Sequence, residues 1–194
     1  MSAPPLEAVV IGASAGAVQA LSDILPRLPA DYPLPLLVVV HVPSAPSGLT
    51  TLFSAKCAMN VVEPDDKETI VSGTIYFAPP GYHLLVEPGG SIALSADEPV
   101  LYSRPSIDVL FESAAESLGP ALMGIVLTGA NEDGAKGAAA IEERGGLVLV
   151  EDPATAYAAA MPAAALARCP AARVLSLDAI SDELISIGAG GLRP

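Results

Sequence analysis

Ala8-Val9-Val10-Ile11-Gly12-Ala13-Ser14-Ala15-Gly16 is a short apolar run that ends in a turn of small residues. Val18, Leu21, Ile24, Leu25 and Leu28 follow at helical spacing. The pattern reads as strand, tight turn, helix. In an open α/β sheet such a turn lies at the carboxyl edge, where ligands bind. A helix N-terminus beside it favours negative charge on a bound oxygen. Ser14 at this turn is therefore a candidate nucleophile, with Gly12 and Gly16 leaving room for a ligand. The same turn also suits a nucleotide phosphate. A dinucleotide fingerprint, however, wants Gly where Ser14 stands.

The sequence outward of this turn alternates. Residues 34–40 form a continuous apolar run, as in a strand covered on both faces, and end at His41. Ser47 is a candidate cap for a helix carrying Leu49, Leu52 and Phe53. Between residues 60 and 96, short β-like runs are separated by Pro/Gly/Asp turns, which predicts hairpins inserted in or added to the main sheet. Arg104-Pro105-Ser106 opens a helix with Ile107, Leu110, Phe111, Ala114 and Leu118 on one face. Residues 122–127 read as a buried strand, followed by a loop with Ala130, Glu132 and Asp133 and a helix to about Arg144. A strand over 147–150, a helical patch near 154–167, a strand at 174–177 and a helix from about 179 to 187 complete the chain. Alternating strands and helices predict an α/β fold: a doubly wound, mostly parallel sheet with helices on both faces and a β-hairpin region near residues 60–96.

The 194 residues suit one domain, residues 1–194, and 52% hydrophobic composition supports a real core. The formal charge of −13 works against nucleic acid and anionic lipid as partners. Cys57 and Cys169 are far apart and give neither a disulfide framework nor a zinc site. No apolar run is long enough for a membrane span, and the N-terminal residues do not form a signal peptide. These features predict a reduced cytoplasmic protein; a serine-based hydrolysis expects no metal or organic cofactor.

Ser14, His41 and Asp133 each follow an apolar strand, so one sheet edge can gather all three. A serine hydroxyl needs a base to take its proton, an imidazole serves near neutral pH, and a carboxylate orients that imidazole. Alternatives stay open at each position. His41 also suits a hydrogen-bonding role at a strand end. Asp133 also suits a helix N-cap, with Glu132 the neighbouring carboxylate. His83, the other histidine, reads as an exposed loop residue beyond Pro79-Pro80-Gly81. Arg104 is either a surface cation or a group facing the cleft. The α/β-hydrolase order, Ser then acid then His, does not apply, because here the histidine precedes the acid.

Five stretches carry a resemblance: Ile11-Gly12-Ala13-Ser14; Val40-His41-Val42-Pro43; Ala78-Pro79-Pro80-Gly81-Tyr82-His83-Leu84; Arg104-Pro105-Ser106-Ile107-Asp108-Val109-Leu110-Phe111; and Leu127-Thr128-Gly129-Ala130-Asn131-Glu132-Asp133-Gly134-Ala135. In this order, across nearly the whole chain, they resemble the CheB family of chemotaxis receptor protein-glutamate methylesterases. The resemblance implies hydrolysis of glutamyl methyl esters on chemoreceptor cytoplasmic helices with release of methanol, and in many members deamidation of glutamines. It implies Ser14 as nucleophile, His41 as base, Asp133 as its partner and the Ala130 amide as oxyanion donor. Ala15, Arg104 and His83 are carried as oxyanion or substrate-binding candidates. Three residues depart from the family pattern. Ala130 stands where Met is usual, Ala15 where Thr or Ser follows the nucleophile, and Ala163 where Arg often follows Met161-Pro162. They bear on rate and substrate. Family members usually carry an N-terminal receiver domain, and nothing of that size fits before Leu6, so the resemblance implies either a piece trimmed from a longer protein or a free-standing esterase domain, with a separate receiver protein as a second candidate partner. The competing readings are a catalytically weakened binding module and a nucleotide-binding α/β protein.

Overall fold

The structure is a computed structural model that describes residues 4–41 and 48–190. Strands β1 (Ala8–Ala13), β2 (Leu36–Val40), β3 (Asn60–Val62), β4 (Thr74–Phe77), β7 (Leu122–Val126), β8 (Leu147–Glu151) and β9 (Arg173–Leu175) form one sheet in the order β3-β4-β2-β1-β7-β8-β9. Every pairing in it is parallel. The intervening strands β5 (His83–Glu87) and β6 (Ser91–Ser95) make a separate antiparallel hairpin. The helices are α1 (Ala17–Ile24), α2 (Leu49–Ser54), α3 (Ile107–Leu118), α4 (Ala135–Glu143), α5 (Ala160–Arg168) and α6 (Leu177–Gly188).

Alternation along β1 and β2 builds two cores, one on each face of the sheet. Val9, Ile11, Leu36 and Val38 pack with α1, α2 and α6 through Leu21, Ile24, Phe53, Ile180 and Leu184. Val10, Leu37 and Val39 pack with α3, α4, α5 and the hairpin through Phe111, Ile141, Met161 and Val86. Strands buried on both faces need continuous apolar sequence, which is why these runs show no alternation of polarity.

β1 is central. The chain leaves it on one side for β2 and returns on the other as β7. That reversal opens a crevice at the carboxyl ends of β1 and β7. Gly12 lets α3 approach this edge, because a Cβ there would run into the Ile107 side chain. Gly16, at φ 86, makes the left-handed turn into α1.

Several expectations need correction. Val18 is 45% exposed, since the buried stripe of α1 is Ala17, Ala20, Leu21 and Ile24, and Val18 lies off it by one residue's rotation. Of the short runs between residues 60 and 96, β3 and β4 extend the main sheet in parallel and only β5 and β6 form a hairpin. Thr69 makes a lone bridge to Ser91 rather than a strand. Residues 154–159 are irregular, because the Ala158 backbone bonds to Thr128 and Gly129 instead of a helical neighbour. Leu177 begins α6 rather than ending β9. The proposed cap Ser47 lies outside the described residues; Gly48 stands at the N-cap of α2.

Candidate active site

Ala13 and Val40 are partners in the β1–β2 register. Ser14 and His41 are the next residues of the two strands, so they stand side by side on the carboxyl edge. The His41 amide donates to Ala13 O at 3.1 Å, and the Ser14 amide donates across to Thr128 O at 2.9 Å. The Ser14 backbone is thus held by the segment that follows β7, while its side chain makes none of these bonds; the residue is half-buried.

His41 Nε2 bonds to Asp133 Oδ2 at 2.7 Å. Asp133 is fully buried, and each of its oxygens accepts twice. Oδ2 also takes the Ile107 amide at 2.7 Å, and Oδ1 takes the Ser106 hydroxyl at 2.9 Å and the Asp108 amide at 3.0 Å. Asp133 is therefore a cap, but of α3 rather than of α4, whose start it precedes. Ser106 at the α3 N-cap makes no side-chain cap bond of its own. The favour is returned: Asp108 Oδ1, in the first turn of α3, accepts the Gly134 amide at 2.9 Å and the Gly137 amide at 2.7 Å at the start of α4. Two helices exchange carboxylates, each satisfying the other's orphan amides.

These environments separate the two carboxyls. Burial works against the ionised form of Asp133, but the bonds from His41, the Asp108 amide and the Ile107 amide outweigh it and hold the carboxyl below the ordinary aspartate range. Its stabilising contribution is present above the unfolded value and is lost as pH falls through the folded one. Asp108 goes the other way. Burial pushes it up to about 6; the Gly137 amide works against this, and the nearby Asp133 charge reinforces it. An acid raised on folding destabilises the fold once ionised, so its penalty grows as pH rises from about 4 to about 6. Asp108→Asn keeps an acceptor for Gly134 and Gly137 without the charge. The variant is expected to flatten the stability profile over that window. Urea unfolding at pH 5 and pH 7 checks this: the wild type loses stability between the two pH values relative to the variant.

Ser106 ties the next histidine into the same cluster. His83 is 2% exposed, which corrects its reading as an exposed loop residue: it opens β5, and the hairpin folds it under α3. The Val86 amide donates to Ser113 Oγ of α3 at 3.1 Å, anchoring that hairpin. His83 Nδ1 accepts the Ser106 amide at 3.1 Å, so its proton sits on Nε2 and donates to Glu98 O at 3.0 Å. Both ring nitrogens are committed, and His83 is a brace. Arg104 Nη1 donates to the carbonyls of Ala96 and Asp97 at 2.8 and 2.9 Å, pinning the segment after β6. Ala130 is exposed and Ala15 half-buried. Among the described residues, their amides and that of Gly16 donate no hydrogen bond. Glu132 is exposed and faces, with Lys136 and Arg168, a depression of about 220 Å³ that includes neither Ser14 nor His41.

The sequence missed Asp108, Glu151 and Thr128. Glu151 is a 2%-exposed carboxylate at the end of β8, raised by burial and only partly relieved by the Thr128 amide. An acidic residue closing an apolar strand was the available signal. Among the described residues no three His, Cys, Asp or Glu side chains gather as a metal site requires. No helix among them is long and apolar enough to cross a membrane.

The fold and edge define a parallel α/β domain that brings a serine, a histidine and a buried carboxylate together at its switch point. The model of the CheB methylesterase family matches residues 9–184. A putative protein-glutamate methylesterase/protein-glutamine glutaminase of Leptospira interrogans is 43% identical over 187 residues, covering 96% of this chain and 97% of that protein. Protein-glutamate methylesterase FrzG of Myxococcus xanthus is 37% identical over 94% of this chain, which spans 55% of FrzG. The crystal structure of the Thermotoga maritima CheB methylesterase catalytic domain superposes with a TM-score of 0.87 at 31% identity, covering 95% of this chain and 100% of that one. The chain belongs to the CheB methylesterase family.

Proposed function

We propose that this chain hydrolyses glutamyl methyl esters on the cytoplasmic helices of chemoreceptors, releasing methanol, and deamidates glutamines at equivalent positions. Residues 1–194 act in it as one catalytic domain in the cytoplasm, with a receiver protein as a candidate partner. The observation that carries it is the 2.7 Å bond between His41 Nε2 and Asp133 Oδ2, made at the strand end next to that of Ser14.

With Nε2 facing a carboxylate below its ordinary range, the neutral ring keeps its proton there. Nδ1 is then the nitrogen free to take the Ser14 proton. Ser14 Oγ attacks the ester carbonyl carbon as Nδ1 takes that proton. The carbonyl oxygen becomes an oxyanion, and the amides of Ala130 and Ala15 are the donors beside it. The imidazolium, steadied by Asp133, returns the proton to the departing methoxide, and methanol leaves. Water then attacks the acyl-serine with His41 as base. This frees glutamate and restores Ser14. For glutamine the same steps release ammonia. The Ala130 position needs only its backbone N–H, so the lack of a larger side chain does not remove the donor.

A serine-directed phosphonate tests the assignment. The expected result is one label per chain, mapped to Ser14, with loss of methanol release in step. A label on another residue, or none under conditions where a known serine esterase reacts, rejects it.

A further inference from the structure

The reaction as written gives no part to Glu151 or to the Thr128 side chain. Yet both are bonded toward the nucleophile. Glu151 Oε2 accepts the Thr128 amide at 2.7 Å. The Thr128 carbonyl accepts the Ser14 amide at 2.9 Å. The Thr128 hydroxyl donates to Ala15 O at 2.8 Å and accepts the Ala158 amide at 2.8 Å. The Ala158 carbonyl in turn accepts the Gly129 amide at 3.0 Å. One residue therefore grips the backbone of Ser14, the residue after it, and the loop carrying Tyr157. The Tyr157 Cβ lies 2.8 Å from where a Cβ on Gly16 would sit, so that loop closes directly on the nucleophile turn.

The topology explains why a side chain is needed here. The last β7–β8 partners are Val126 and Val150. β8 then turns toward β9, with the Asp152 amide donating to Leu175 O at 2.9 Å. The Thr128 amide, two residues past the last pair, has Glu151 Oε2 as its partner and no ladder carbonyl. Thr128 is 1% exposed, so water is a poor substitute. If the acceptor is removed, the peptide before Thr128 is free to rotate, and the carbonyl and hydroxyl that fix Ser14 and Ala15 move with it.

We propose that Glu151 is a positioning residue for the esterase reaction, holding the Ser14–Ala15 turn in its reactive geometry through Thr128. The proposal rests on the assignment of Ser14 as nucleophile. It places the effect in the chemical step rather than in substrate binding, because neither residue reaches out to the exposed surface. No atom of Glu151 exchanges a proton with substrate, so an uncharged acceptor of the same reach suffices.

The test measures kcat and KM for methanol release from methylated receptor, using the whole chain well below each variant's melting transition. Wild type and Ser14→Ala are the reference pair. Glu151→Ala is expected to lower kcat by about tenfold or more, since a misplacement near 1 Å costs up to about a hundredfold. KM should stay within about twofold, and Glu151→Gln, which keeps an acceptor oxygen, should recover kcat to within about twofold. Thr128→Val, which keeps the shape and deletes the hydroxyl, should fall like Glu151→Ala, and Thr128→Ser should recover. Wild-type kcat in Glu151→Ala, or a Gln variant as impaired as the Ala variant, overturns the proposal. Should Glu151→Ala fail to fold, the Thr128 pair decides: wild-type kcat in Thr128→Val overturns it. If Ser14→Ala turns over like the wild type, the nucleophile assignment has failed and this proposal with it, a pattern distinct from failure at Glu151 alone.

Discussion

Ser14→Ala is expected to lower methyl-ester hydrolysis on the order of 10⁶-fold while leaving the far-UV circular dichroism unchanged. The two halves of this expectation have separate causes. The backbone at Ser14 is held by its amide bond to Thr128 O and by its carbonyl, which accepts the Ala17 amide at 2.9 Å. Neither uses the side chain, so the turn survives its loss. Without Oγ, however, no acyl intermediate forms, and His41 has no hydroxyl to deprotonate. The amides beside the turn still receive an oxyanion, so a residual rate roughly 10³-fold above that in water is consistent with the scheme. Turnover within about tenfold of the wild type would exclude Ser14 as nucleophile.

Asp133→Asn is expected to reduce the same rate about 10⁴-fold, the scale seen when a histidine loses its orienting carboxylate. Unlike the serine change, it should also destabilise the fold. Four donors converge on the two oxygens, and an amide offers only one oxygen to them. With the NH₂ toward His41, the imidazole must carry its proton on Nδ1 and ceases to be a base. With the NH₂ toward Ser106, that hydroxyl can turn to accept, but the Asp108 amide is left opposed. One orphaned buried amide costs roughly 1–3 kcal/mol, and in a domain of this size each kcal/mol lowers the melting temperature by roughly 2–4 °C. Thermal unfolding and kcat measured together separate the roles. A rate that falls only as far as the folded fraction falls would leave Asp133 with its capping role alone.

The strand ends that carry Ser14 and His41 were legible because a strand buried on both faces cannot hide in the sequence. Asp133 was legible only as a candidate. Its local surroundings suggested a cap for the next helix. The amides it serves belong to Ile107 and Asp108, 26 and 25 residues earlier, and nothing in a linear pattern joins them. His83 was misread for the same reason. Its burial is created by a hairpin folding onto α3, a long-range event, while the Pro-Pro-Gly before it signals only a turn. The Ala-rich stretch over 154–159 shows propensity yielding to tertiary bonds, since Thr128 and Gly129 claim the Ala158 backbone. The parallel pairing of β3 and β4 was equally hidden, because short runs between turns look alike whichever way they join a sheet.

The exchange of carboxylates between α3 and α4 has a consequence for how this domain can change over generations. Asp133 answers to two masters: the imidazole it orients and the helix it caps. Ser14 answers to one. A lineage released from selection for catalysis would pass through Ser14 freely, at almost no cost in folding. The same drift at Asp133 would be purged as misfolded protein, whether or not the chemistry still mattered. A silent descendant of this fold should therefore keep its aspartate and lose its serine, and the presence of the acid alone is poor testimony that an ancestor's reaction survives.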